Sequence, residues 1–518
     1  MYFDFLIYLN QSAVGENGRI IRKAPEISQV QENEKPLPLL IFWRFNMKLV
    51  KSLLLGSATA LVAVSGASAA DLGVKKPAAV EYVKVCNTYG AGFFFIPGSN
   101  TCLKVGGRVR AEYQYQQAKH SGSVGGQATP SYTGQGRGAY SNSGFRSQGH
   151  IQLDARTATE YGTLRTFVRL IMNNRSGSSL SGSQQRVGNS TVATGADFAN
   201  KAQTNVDFVA FVQFAGLTAG RVGSFYDFYT GDINWIGTSG GGSIVAPSGA
   251  VNLFAYTATF GSGFSATLSA EDGLARRQLI VPVLGNVNPP VTSSYGGSQL
   301  PDMVANVRAD QAWGSAQLSG VLHQVNTVQQ AGGFNISAKY GYAINGGLKV
   351  NLPMLAAGDE LWLQASYAKG ATMFTVGPAW NGQGSLSSGQ VDNFNVSRLV
   401  DGTVYTPAGG NPTIKLATSF AGFAGLMHYW TPTVRQSVFG GYGQVDQGRV
   451  AVAVGSPSRY TQWQVGSNVI WSPVKGLDIG AEVQYVSLSN NLPAASVNSF
   501  TKKDSNSVIG RVRVQRDF

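Results

Sequence analysis

Few residues of this 518-residue chain stand at spacings that covalent chemistry could use. Gly237-Thr238-Ser239-Gly240-Gly241 fits the G-x-S-x-G pattern of a serine nucleophile, and Ser472-Pro473-Val474-Lys475 fits S-x-x-K. A nucleophile elbow needs a strand running straight into a helix, which holds the serine on a strained turn. The first match lies in a Gly/Ser tract instead, and the second is a turn with no K-T-G after it. His120, His150, His323 and His428 read as isolated lumen or loop residues, and Cys86 and Cys102 have no histidine partners at metal spacing. No H-E-x-x-H, phosphate-cradling G-x-x-x-x-G-K or dinucleotide fingerprint occurs. The chain is expected to be neither an enzyme nor the holder of a metal or cofactor.

What recurs is charge at every second position. In residues 103–116, Leu103, Val105, Val109, Ala111, Tyr113 and Tyr115 share one side, while Lys104, Arg108, Arg110, Glu112 and Gln114 share the other. Arg156, Arg165 and Arg169 stand on the polar side of the next two segments. Such alternation belongs to strands, and fourteen residues of it exceed the ~5–6 of ordinary soluble strands and match the ~9–11 needed to cross a bilayer at a tilt. Sixteen segments of this kind run from 103–116 to 507–518. Short turns join them on one side. Long Gly/Ser/Asn-rich connections join them on the other, at 117–143, 173–203, 226–250, 272–301, 370–416, 446–458 and 489–506, and only 326–333 is short for its side. The expected fold is all-β, a sixteen-stranded antiparallel transmembrane β-barrel, since only closure satisfies a sheet's backbone in lipid. A soluble β sandwich would also alternate. Trp463 and Trp471, on one face toward opposite ends of a strand, favour the barrel's aromatic girdles.

Mean hydropathy of −0.04 does not oppose this, because a barrel averages one apolar face with one polar face. Only 13% of residues are charged and 65 are glycine, which suits strands and turns better than helix surfaces. The net charge is +13, and the first 70 residues hold seven Lys/Arg and five Asp/Glu, so +11 remains from Asp71 onward. These basic residues are dispersed rather than gathered in a patch, which argues against nucleic-acid binding. Residues 47–70 read as a signal peptide: Lys48 and Lys51, the apolar run Leu53–Val64, then small residues ending in Ala69-Ala70. Residues 1–46 read as a mis-called or discarded extension, and 71–518 as one barrel domain. The two cysteines would close a short disulfide loop in an oxidising compartment or remain a free buried pair.

Three blocks resemble the general porins of alphaproteobacteria: YVKVCNTYGAGFFFIPGSNTCLKVGGRVRAEYQY (82–115), FVQFAGLTAGRVGSFYDFY (211–229) and LKVNLPMLAAGDELWLQASYAKGA (348–371). The resemblance covers residues 71–518 and includes the paired cysteines. It implies a homotrimer, passive diffusion of small hydrophilic solutes and ions, and a third outer loop infolded as a constriction, here Tyr226–Ala250 with Asp227, Asp232 and Trp235. It also implies opposed charge rows, with Arg108, Arg110, Arg156, Arg165 and Arg169 facing that loop. The same arginines could merely line a wet wall or bind outer-leaflet phosphates. Phe518, in phase with Val508, Val512 and Val514, resembles the terminal signal read by the barrel-assembly machinery. Outer-membrane lipid and lipopolysaccharide are the expected surroundings. The competing reading is an outer-membrane barrel acting mainly as adhesin, phage receptor or structural envelope protein.

Overall fold

A strand that is apolar on one side and polar on the other can bury the polar side only if the sheet closes around it. In the computed structural model this is what the chain does. The described residues are 84–116, 143–176, 203–231, 233–236, 250–282, 295–327, 336–376, 400–407, 410–447, 458–491 and 504–518. The expected extension and signal peptide lie outside them.

Sixteen strands form the wall: β1 (Thr101–Gln116), β2 (Ser143–Thr159), β3 (Gly162–Arg175), β4 (Gln203–Phe214), β5 (Leu217–Gly223), β6 (Ala250–Gly261), β7 (Phe264–Glu271) and β8 (Asp302–Gln311). The second half is β9 (Gly314–Val325), β10 (Lys339–Asn351), β11 (Glu360–Lys369), β12 (Thr418–Thr431), β13 (Val434–Asp446), β14 (Arg459–Val474), β15 (Leu477–Asn490) and β16 (Asp504–Asp517). Each strand pairs antiparallel with the next, and β16 pairs with β1 from Arg108↔Asp517 to Gln116↔Ile509, which closes the ring.

The burial pattern is that of a soluble protein turned inside out. Val109, Phe145 and Phe254 point outward with 61, 63 and 70% exposure, while Gln114, Asn345 and Gln484 point inward with 0%. An outer apolar face of this extent is stable only against lipid. Trp463 and Trp471 are both outward and exposed, and Gln462, Gln464 and Asn468 of the same strand are buried inside. The tight turns carry matching chemistry: Ala215-Gly216 and Ser262-Gly263 each place two successive residues at positive φ, the two-residue hairpin turn that follows strand twist.

Strand boundaries follow the sequence reading with local departures. The tenth strand begins at Lys339 rather than 334, because Ile336 leaves the wall to pack with Ile280, Val325, Val404 and Ile414. The fifth ends at Gly223 rather than 225, because the chain turns into the lumen there. Two connections expected to be irregular contain strands. Leu279–Pro282, after β7, pairs parallel with Val400–Tyr405, after β11, which pairs antiparallel with Thr413–Leu416. Asp401 fastens this small sheet by accepting hydrogen bonds from Gln278 N (2.7 Å) and Thr372 N (2.9 Å). His323 is not isolated: it lies buried between Asp302 (2.7 Å) and Asp401 (3.6 Å).

Before β1, residues 84–100 form a hook. Phe94–Phe95 pairs with Leu103 and Cys102 of β1, and Cys86 is bonded to Cys102, with Cα atoms 6.0 Å apart. The first residues of β1 run past the end of β16, where Phe518 and Gly107 exchange backbone hydrogen bonds at 3.0 and 2.9 Å. The hook covers the strand edge that β16 leaves unpaired, the usual remedy for an exposed edge.

Candidate functional site

After β5 the chain does not continue outward. The described residues 224–231 and 233–236 lie along the inner wall, and inward residues of successive strands hold their backbone. Asn306 donates to Phe225 O (2.6 Å), Ser319 to Tyr226 O (2.7 Å) and Asn468 to Ile233 O (2.7 Å). Gln364 accepts from Tyr229 N (2.9 Å). At the far end the Glu482 carboxylate accepts from Trp235 N (2.7 Å) and Ile236 N (2.6 Å), and Arg511 donates to Trp235 O (2.7 Å). The path therefore runs from β8 to β16 on the lumen side. Aromatic packing follows it, with Phe228, Tyr229 and Ile233 clustered against Trp362, Phe423 and Phe439.

Glycines in the wall make room for this loop. A Cβ at Gly347 would collide with the Phe228 ring, one at Gly425 with Ile233, and one at Gly480 would come 2.8 Å from the Trp235 ring. At Gly347 and Gly425 the loop occupies the volume a side chain would need, whereas at Gly480 the Val469 carbonyl of the neighbouring strand is closer still than Trp235.

The expected inward arginines all face the lumen, and each has a partner. Arg108 pairs with Asp517 (2.5 Å), Arg110 with Gln515 (2.8 Å) and Arg169 with Gln152 (3.0 Å), while Arg156 and Arg165 share Asp154 at 2.8 and 3.0 Å. Sequence reasoning missed Arg146, Arg511 and Arg513, which surround the buried Glu112; Arg513 lies 2.6 Å from it. The signal was available, since Arg511 and Arg513 alternate with Val512 and Val514, which the sequence puts on one face with Phe518 and the structure turns outward. Among the described residues, eight arginines face the lumen from β16 and β1–β3 against three carboxylates, Glu112, Asp154 and Asp517. Trp235 reaches this face, with the Arg513 guanidinium 4.3 Å from its ring centroid.

The expected acidic row differs. Asp227 is buried against Arg276, with two hydrogen bonds of 3.1 and 2.6 Å, and does not stand across open water from the arginines. Burial of Arg276 would weaken its charge, but the Asp227 carboxylate outweighs this and holds its pKa above the ordinary value. A carboxylate this far from solvent requires such a partner. Asp232 lies outside the described residues, as do 237–249.

A closed barrel, apolar toward lipid and polar within, whose lumen contains a loop tethered to its wall, defines a channel of the outer membrane. The comparisons make the class specific. The chain belongs to the porin subfamily, whose profile matches residues 71–511. It is 30% identical over 408 residues to porin Omp2b of Brucella canis, covering 76% of this chain and 93% of that protein, and equally so to Omp2b of Brucella melitensis. In fold it is similar to the outer membrane channel DcaP of Acinetobacter baumannii, with a TM-score of 0.52 at 17% identity over 82% of this chain and 99% of that one. The protein is thus a multi-pass outer-membrane porin, a water-filled channel for passive diffusion of small hydrophilic solutes and ions.

Proposed function

We propose that Ser224–Ile236 and the arginine face of β16 and β1–β3 together set the channel's constriction, and that it passes small anions more readily than small cations. The observation that supports this best is the imbalance on that face, eight arginines to three carboxylates. Arg156 and Arg165 keep 28 and 29% side-chain exposure and share the single carboxylate of Asp154, so net positive charge reaches lumen water there. A narrow aqueous path beside a low-dielectric wall keeps their field stronger than in bulk, and salt weakens it over a Debye length of ~10 Å at 0.1 M. Phe208 and Val212, outward and exposed at 46 and 43%, are the surface through which we expect three copies to assemble. Residues 47–70 would direct export, Phe518 would be read by the barrel-assembly machinery, and lipopolysaccharide would surround the outer rim. A zero-current potential measured in a planar bilayer under a salt gradient tests the charge preference. Anion preference that fades toward 1 M salt is expected, and cation preference at low salt would overturn the assignment.

A further inference from the structure

The lumen contains a second, chemically different wall. Beneath the root of the infolded loop lies a bay of about 610 Å³ between β4–β9 and Ser224–Asp227. This is within the ~300–1,000 Å³ of pockets that hold small molecules. Hydroxyls from three neighbouring strands line it: Thr218 of β5, Thr257 of β6, and Ser265 and Thr267 of β7. Amides of Gln213, Asn306 and Gln317 complete the polar lining, and Val222 and Phe225 supply an apolar patch.

Charge is compensated there. The bay touches one acid and one base, and both are engaged: Asp227 with Arg276 at 2.6 Å, and Arg308 with Asp310 at 2.8 Å and Gln317 at 3.2 Å. An ion entering the bay would lose hydration without finding a free counter-charge. An uncharged solute rich in hydroxyls would exchange its water for groups of its own kind. Each Thr or Ser hydroxyl is one donor and two acceptor sites and rotates to suit its partner. Thr257 and Thr267 spend one bond on each other, at 2.9 Å, and keep acceptor capacity toward the bay. The C–H faces of a sugar-like ring would rest on Val222 and Phe225.

We infer that this bay is a saturable binding subsite for uncharged polyhydroxylated solutes of sugar size, on the opposite chemistry from the arginine face. The inference rests on the channel reading in that the solute must enter the lumen. Ion current alone tests that reading, and saturation tests the bay.

The experiment uses the full protein in planar bilayers, with sucrose as probe and a polyethylene glycol of equal hydrodynamic size as control. Sucrose should reduce ion current along a saturating curve and add current noise, whereas the glycol should reduce it in proportion to concentration. Thr257→Val with Thr267→Val should raise the half-saturating sucrose concentration about tenfold or more, since two hydroxyl contacts are removed. Each curve is normalised to that variant's own sugar-free current. Thr257→Ser with Thr267→Ser should restore saturation near the original concentration. If the valine pair fails to fold, Ser265→Ala should raise the half-saturating concentration severalfold. Linear attenuation by sucrose, equal block by the glycol, or a half-saturation indifferent to the loss of these hydroxyls would overturn the inference.

Discussion

Replacing Glu482 by Gln tests whether the infolded loop is held from its far end. The carboxylate gives one oxygen to Trp235 N at 2.7 Å and the other to Ile236 N at 2.6 Å, and Asn468 donates to it at 3.0 Å. Glutamine keeps one oxygen and sets an NH2 where the other stood, so one loop N–H faces a donor. Hydrogen bonds to a charged group are worth about 1.5–3 kcal/mol, and a buried group left unsatisfied costs about 1–3 kcal/mol. The docked end should therefore weaken by about 2–4 kcal/mol, or about 30- to 1,000-fold in its docking equilibrium. The ladder hydrogen bonds of β15 with β14 and β16 are untouched, so cold-detergent electrophoresis should still show a folded barrel. In single-channel recording the variant should have higher mean conductance and more open-state noise, and it should admit larger polyethylene glycols. A folded variant with the same conductance, noise and exclusion limit would show that Trp235 and Ile236 do not need Glu482 to stay against the wall.

Arg108→Gln with Arg110→Gln should move the zero-current potential toward cations, most at low salt, because two positive charges are removed and Asp517, still bonded by Gln515 at 2.8 Å, loses its counter-charge; an unchanged potential at 0.1 M salt would remove these side chains from the permeation path. Cys86→Ser with Cys102→Ser opens a loop of sequence separation 16, and such a loop is worth about 3 kcal/mol. The hook should then be cut faster by trypsin, while the barrel's melting temperature changes little, which limited proteolysis beside thermal denaturation would read. Asp227→Asn removes the carboxylate that Arg276 hydrogen-bonds while the guanidinium stays buried, a loss worth up to about 3–5 kcal/mol that the field of the nearby Glu271 reduces. It should raise channel noise more than the double change Asp227→Asn with Arg276→Met, and equal noise would argue that the bridge does not fix the loop's root.

The wall was legible because lipid and water enforce opposite faces, and because the alternation in segments such as 103–116 and 459–472 runs longer than an ordinary soluble strand, with Trp463 and Trp471 on the apolar side of the latter. The loop's path was not. Gln364, Asn468 and Glu482 read like any water-facing residue of their strands, and nothing at Gly347 or Gly425 announces an aromatic or isoleucine side chain from more than a hundred residues away. Asp227 was legible as a loop acid, but its neutralisation by Arg276 depends on how the connection after β7 folds back. The strands at 279–282 and 413–416 are four residues each, too short for a period of two to register.

That neutralisation changes the electrostatics expected of the pore. Opposed rows would make a transverse dipole, with cations on one wall and anions on the other. With Asp227 buried, the described part of the loop brings no free carboxylate to face the arginines; it brings Trp235, on which Arg513 rests. Asp310 and Asp478 are each held by an arginine of their own, Arg308 and Arg435. The described lumen is therefore closer to a single positive wall than to a capacitor. A one-sided field does not sort ions to separate tracks. It raises the local anion concentration and repels cations, as charged clefts do generally. The consequence can be measured: the ratio of anion to cation permeability should fall steadily with ionic strength as the wall is screened. A dipolar pore would keep a ratio near one throughout, and finding that at low salt would place an unneutralised acid opposite the arginines.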